Sequence, residues 1–314
     1  MVSPFSPSDA IANAGHNIGD KAMRIDVITV PYRYDEPNQG LGAGPAALVR
    51  GGVVEQIRSA GHTVTDPVAA HLSDDEREPG QTAVNIGKLG ANTAGLVRTA
   101  REANARVLAL VGEDTAVIGI VAGMQQAHGA GARIGVVWID AHGDFNTPKT
   151  SYSGILAGMP VAILAGLHGP RMRAAAGQLA PIPTERILIV GARDLDNQEE
   201  SLLDATSVGL VTGKQLRQER VLADAIESLN QWCDLLVLHI DLDVLDPEFV
   251  PSASTASPDG IDIATLASIA EAVYATGNVA VTVIGSLNPG GGNLGKRSVQ
   301  TGLELVDRLG KAWV

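Results

Sequence analysis

Short apolar runs alternating with helix-forming stretches predict an α/β fold, a mainly parallel sheet of eight strands covered by helices on both faces in three layers. Two observations carry this expectation. Eight runs along the chain are rich in apolar and β-branched residues, as strands buried on both faces require. Two of those runs end in aspartates at alternate positions, and open parallel sheets bind their ligands at the carboxyl ends of their strands.

Taken in order, RIDVITVPY (24–32) is the first strand, its branched side chains suited to a pleated surface. PAALVRGGVVEQIRSAG (45–61) follows with apolar residues at helical spacing, and HTVTD (62–66) is a short second strand. NIGKLGANTAGLVRTAREA (85–103) is a helix before the strand RVLALVG (106–112). AVIGIVAGMQQAHG (116–129) is a helix before RIGVVWID (133–140). RILIVGAR (186–193), SVGLVT (207–212) and LLVLHIDLD (235–243) are the next strands. IDIATLASIAEAVYATG (261–277) is helical, and VAVTVIGS (279–286) completes the set.

The 314 residues are 45% hydrophobic and 18% charged, which suits one large globular domain over 24–314. Residues 1–23 lack a basic start followed by a long apolar segment, so they read as a mobile extension and not as a secretory signal. A formal charge of −12 argues against nucleic acid and anionic membrane surfaces as partners, and is compatible with a cationic small molecule. No apolar run reaches spanning length. A single cysteine, Cys233, excludes an intrachain disulfide and fits a reducing compartment, so a cytoplasmic protein is expected.

The chemistry concentrates in WIDAHGDFNTP (138–148), where Asp140, His142 and Asp144 stand at alternate positions. In an extended chain such side chains point to one side, whereas in a helix they diverge. LLVLHIDLDVLDP (235–247) repeats the grammar with Asp241 and Asp243. Unpaired buried carboxylates are costly, so two strand ends bearing acids on one face point to a shared divalent cation. Asp246 departs from that parity ahead of Pro247 and reads as a turn organiser. His239 keeps the parity but lies deeper in its run, where a buried histidine hydrogen-bonded behind the ligands is expected. The Gly-rich segment PGGGNLGK (289–296) comes close to a phosphate-binding loop, but Arg297 stands where Ser or Thr would be needed. It reads as a flexible loop.

Together the acid clusters resemble the signature of the ureohydrolase family, which contains arginase, agmatinase and formiminoglutamase. The family's D-A-H-x-D is matched by Asp140-Ala141-His142-Gly143-Asp144, and its D-x-D-x-x-D-P by Asp241-Leu242-Asp243-Val244-Leu245-Asp246-Pro247. The resemblance covers most of the chain: VPYRYDEPNQGLGAGPAALVRGG, FNTP with SYSG, GARDLD and LNP follow in the family's order. It implies an arginase-like fold and a centre of two Mn2+ ions per chain, where a metal-bridging hydroxide attacks an amidine or guanidine carbon. It also implies that Asp140 and Asp241 bridge the ions, that His142 and Asp243 complete one ion's ligands and that Asp144 binds the other. Asp144 and His142 are then the catalytic candidates. Asn146 and Ser153 match positions that hold the amino-acid end of a substrate, and Asp196 and Glu199 match further substrate contacts. The last two suit a helix cap equally well. A homo-oligomer, trimer or hexamer, is implied by the same resemblance.

Three departures from the family pattern bear on the substrate. Asp114 stands where the family usually has a histidine ligand; it suits a metal, and it also suits a helix N-cap. Ala157 replaces the histidine that shuttles a proton in arginases, and Ser286 replaces a glutamate that contacts the guanidinium. These losses point to an N-hydroxyguanidine, a formimino compound or another amidine rather than arginine. The alternative is a catalytically impaired relative with a binding or regulatory role.

Overall fold

The computed structural model describes residues 22–218, 220–290 and 292–313. The extension expected over residues 1–23 falls, apart from its last two residues, outside the described residues.

The chain opens with β1 (Arg24–Val30), a small antiparallel hairpin of β2 (Tyr32–Arg33) and β3 (Glu36–Pro37), and helices α1 (Gly44–Arg50) and α2 (Val53–Ser59). Two-residue strands β4 (Thr63–Val64) and β5 (Val68–Ala69) both pair with β1. Next come α3 (Thr82–Glu102), β6 (Arg106–Val111), α4 (Val117–His128) and β7 (Ile134–Ile139). Short helices α5 (Pro160–Leu164) and α6 (Pro170–Ala176) lead to β8 (Ile187–Val190), α7 (Asn197–Asp204) and β9 (Gly209–Val211). The chain ends with α8 (Val221–Asn230), β10 (Leu235–Asp241), α9 (Ile263–Tyr274), β11 (Val279–Gly285) and α10 (Asn293–Ala312).

All eight predicted strands are present. They form one parallel sheet in the order β4-β1-β6-β11-β10-β7-β8-β9, with β5 added beside β1. Alternation along each strand divides the core in two. Val107, Ala109 and Val111 face a cluster with Ile86 and Val97 of α3 and Ile120 and Met124 of α4. Leu108 and Leu110 face the opposite cluster, with Ile57 of α2, Leu266 of α9 and Leu305 of α10. This is the three-layer arrangement that alternating strands and helices predict.

The helix expected over 45–61 is two helices, because Gly52 takes φ 98°, a left-handed conformation that an α-helix does not contain. The stretch 289–296 is only partly a loop. α10 begins at Asn293, inside the Gly-rich run, and carries Lys296. Its burial is one-sided, through Leu303, Leu305, Val306 and Leu309, and such a helix is held by tertiary packing.

Candidate metal centre

Four neighbouring strands, β6, β11, β10 and β7, deliver the candidate residues to one edge of the sheet. β6 leads through Gly112 to Asp114, β11 to Ser286, β10 to Asp241 and Asp243, and β7 to Asp140, His142 and Asp144. Gly112 is required by a close approach: a Cβ there would lie 2.1 Å from the carbonyl oxygen of Tyr32.

The two acid clusters share a local device. Asp140 Oδ1 accepts the backbone N–H of His142 (2.8 Å), and Asp241 Oδ1 accepts that of Asp243 (2.7 Å). In each, the carboxylate two residues back turns the chain out of its strand. The expected convergence of Asp140, His142 and Asp144 therefore has a different origin. β7 stops at Ile139, and Asp144 has φ 47°, so a turn gathers the three side chains and an extended strand does not. The carbonyl of Asp144 accepts the N–H of Val161, which ties that turn to the start of α5.

Asp114, Asp140, Asp144, Asp241 and Asp243 are each 6% exposed or less. They line a cavity of about 280 Å³ together with His142, Asn146, Ser153, Ala157, Asp194, Asp196, Glu199 and Thr255. Asp140, His142 and Asp243 bring ligand atoms within 4.8 Å of one another, a group able to hold a metal ion. His142 Nδ1 lies 3.2 Å from Asp140 Oδ1 and 3.4 Å from Asp243 Oδ2. Thr255 Oγ1 donates to Asp243 Oδ2 (2.6 Å), leaving Asp243 Oδ1 buried with no hydrogen-bond partner among the described residues.

The electrostatics follow from five buried acids around one imidazole. Burial and the charge of Asp243 push the Asp140 carboxyl up to about 7. Burial and neighbouring carboxylates raise Asp144 and Asp241 well above the usual carboxylate range. Burial alone would also raise Asp243, but hydrogen bonds from His142 and Thr255 outweigh it and hold it low. For His142, burial favours the neutral ring, and bonds to Asp140 and Asp243 overcome this and raise it. Such a set is stable as anions only beside additional positive charge, which a hard divalent cation supplies. The orphaned Asp243 Oδ1 and the all-oxygen and imidazole donor set fit such an ion.

The remaining predicted residues are also near the cavity, with their polar atoms partly committed. Asn146 Nδ2 donates to Asp196 Oδ2 (3.2 Å), and Asn146 Oδ1 accepts from Thr150 Oγ1. Ser153 is exposed, and its hydroxyl accepts the N–H of Ile155. Asp196 is the N-cap residue of α7. Glu199 Oε1 accepts the N–H of Phe145 (2.8 Å) and its Oε2 accepts that of Asp196, so this carboxylate braces the Asp144 turn. Gly143 leaves room for that brace, since a Cβ there would stand 2.7 Å from Glu199 Oε1.

Asp114 is not the helix cap: Glu113 caps that turn by accepting the N–H of Thr115, which frees Asp114 to face the cavity. His239 is fully buried, with Nε2 3.0 Å from Asp114 Oδ1, as expected of a residue behind the ligands. Ser286 does not line the cavity and turns its hydroxyl to Asp114, 3.3 Å from Oδ2. Asp246 organises its turn by accepting the N–H groups of Glu248 and Gly260.

Sequence reading missed Glu113, Thr255 and Trp138, whose indole N–H donates to Asp140 Oδ2 (2.9 Å). It also missed Arg193, whose guanidinium donates to the carbonyls of Asp243, Val244, Ser257 and Pro258. Trp138 carried a signal, since it shares the parity of Asp140. Thr255 and Arg193 act across distant segments and carried none.

Among the described residues, no helix is long and apolar enough to cross a membrane. The chain is similar to known proteins over most of its length. The chain is 29% identical to an arginase of Bacillus subtilis over 294 residues, 91% of this chain and 97% of that protein. It is 28% identical to human arginase-1 over 303 residues, 91% and 92% of the two chains. The crystal structure of arginase from Bacillus subtilis superposes with a TM-score of 0.79 at 28% identity, covering 91% of this chain and 98% of that one. Formimidoylglutamase from Bacillus subtilis shares the fold at a TM-score of 0.67 and 16% identity, covering 94% and 88%. The arginase family model matches residues 23–309, and with the acid-lined edge of the parallel sheet this makes the chain a member of the arginase family, whose homologues are hydrolases of C–N bonds.

Proposed function

We propose that the protein hydrolyses a C–N bond of a guanidino, N-hydroxyguanidino or formimino compound with two manganese ions. The observation that carries this is the set of five buried aspartates and one imidazole facing a cavity of about 280 Å³. Asp114, Asp140, Asp144 and Asp241 would hold one ion, and Asp140, His142, Asp241 and Asp243 the other. Two cations so held would supply a bound water of near-neutral pKa and polarise an amidine carbon. The chain's own residues do the rest. Thr255 and the N–H groups of His142 and Asp243 fix the carboxylates. Asp144, on its left-handed turn, would take up a proton from the attacking water and return it to the departing nitrogen as the C–N bond breaks. Asn146, Ser153, Asp194 and Asp196 at the cavity wall favour a substrate with an ammonium or amide end.

Ala157 and Ser286 set the substrate apart from arginine. Ala157 lines the cavity but cannot carry a proton, and His168, the histidine downstream of it, is not among the lining residues. Ser286 is turned onto Asp114 and offers no carboxylate to a guanidinium. A less basic amidine needs less of both. The test is a screen of guanidino, hydroxyguanidino and formimino compounds with manganese-loaded protein, read by release of urea, hydroxyurea or formamide. Turnover of one of these with little hydrolysis of arginine is the expected result, and efficient arginine hydrolysis would overturn it. The loss at Ala157 also favours a second reading, a binding or regulatory relative. Two tightly bound manganese per chain argue for the hydrolase, and one or none for the relative. A cytoplasmic setting and a trimer or hexamer belong to the same proposal, and sedimentation of the purified chain tests the assembly.

A further inference from the structure

The aromatic pair behind the site reaches two candidate ligands at once. Trp138 on β7 and His239 on β10 are register partners on adjacent strands. Both are fully buried, and their rings stack with centroids 3.7 Å apart and planes 19° from parallel. From one ring the indole N–H reaches Asp140 Oδ2 (2.9 Å), and from the other Nε2 lies 3.0 Å from Asp114 Oδ1. His239 Nδ1 has no hydrogen-bond partner among the described residues. The ring proton therefore belongs on Nε2. The other tautomer would bury an unpaired N–H and set a nitrogen lone pair against the carboxylate.

Ser286 supplies a second donor to the same carboxylate, from a backbone with φ 61° that turns its side chain inward. Asp114 and Ser286 are two of the three departures from the family pattern, and with His239 they form one hydrogen-bonded unit. Aspartate is shorter than histidine, and its carboxylate rotates freely unless something holds it. With His239 on Oδ1 and the Ser286 hydroxyl within reach of both oxygens, these donors fix the plane of the carboxylate and withdraw charge from a site where carboxylates already crowd.

We propose that His239 is a positioning residue that orients Asp114 as a metal ligand, and that the stacked Trp138 does the same for Asp140. The proposal rests on the two-ion reading above. Its test is Mn2+ binding to the full chain by titration calorimetry, for wild type, His239→Gln and His239→Asn. A glutamine amide reaches the place of Nε2, whereas an asparagine amide ends near Nδ1 and falls short of Asp114. The expected result is two ions for wild type and H239Q with closely similar affinities. H239N should bind one ion as wild type does and the other about 10–100-fold more weakly. Trp138→Phe keeps the stack and loses the N–H. It should weaken binding by about tenfold, and it keeps the proposal open to refutation if H239N does not fold. Binding of both ions by H239N as tightly as by wild type overturns the role of His239, as does H239Q binding as weakly as H239N. Unchanged binding by W138F overturns the role of Trp138. Wild type that binds no manganese overturns the two-ion reading itself, a separate outcome.

Discussion

Removing metal from this protein should leave it less stable at alkaline than at mildly acidic pH, because the acids at the sheet edge then lose their counter-charge. Burial and the charge of Asp114 push the Glu113 carboxyl from 4.5 up to about 7, and burial with Asp243 pushes Asp140 from 3.8 up to about 7. Each tenfold change in proton affinity is about 1.4 kcal/mol, so Glu113 carries on the order of 3 kcal/mol and Asp140 on the order of 4 kcal/mol. Acids that share one field relieve one another when the first is protonated, so the sum is smaller, roughly 3–6 kcal/mol. The sign follows from which state holds the protons. Between about pH 4 and 7 the folded chain keeps protons that the unfolded chain has released, so stability rises as pH falls through that window. Above about pH 7 the full cost is present. His142, raised by Asp140 and Asp243, adds a slope of the same sign above its ordinary value. Bound cations favour the ionised carboxylates and should cancel or reverse the trend. The assay is thermal unfolding of chelated and manganese-loaded protein from about pH 5 to pH 8. A fall in Tm of roughly 10 °C for the chelated form follows from about 2–4 °C per kcal/mol in a large domain. A chelated protein whose Tm is flat or rises over this range would refute the reasoning.

Three further outcomes follow from the same geometry. Gly143→Ala drives a methyl group against Glu199 Oε1 and frees the buried N–H of Phe145. It should cost about 1–3 kcal/mol in thermal unfolding and weaken manganese binding as the Asp144 turn loosens. Arg193→Lys removes the planar fork that ties the carbonyls of residues 243–245 to those of 257 and 258. It should destabilise the chain by about 2–3 kcal/mol and speed proteolysis of the 247–260 segment. Cys233 is 2% exposed, and burial pushes its thiol up to about 11, so iodoacetamide at neutral pH should leave the native protein unmodified and react on unfolding.

Much of the fold was legible in the sequence because a parallel sheet buried on both faces leaves unbroken β-branched runs, and all eight were found. The helices were less legible. α10 is long, but only one of its faces is buried, and it opens inside a Gly-rich run that reads as a loop. The single helix expected after β1 became two because a left-handed glycine interrupts it.

Residue type and the buried runs before them were enough to put Asp140, His142, Asp144, Asp241 and Asp243 just beyond the carboxyl ends of two strands; the turns that follow those strands, not alternation along them, bring the side chains to one cavity. Only the tertiary structure decided what stands behind them. The pairing of β7 with β10 brings Trp138 onto His239, and the position of β11 between β6 and β10 brings Ser286 to Asp114. Those contacts join residues more than a hundred positions apart, and a local pattern carries no information about such pairs. The same is true of Glu199, which in sequence suits a substrate contact and a helix cap equally, and whose two oxygens in the folded chain accept the backbone N–H groups of Phe145 and Asp196. A strand's own periodicity fixes which way its side chains point, and only the packing of the strands fixes what they meet.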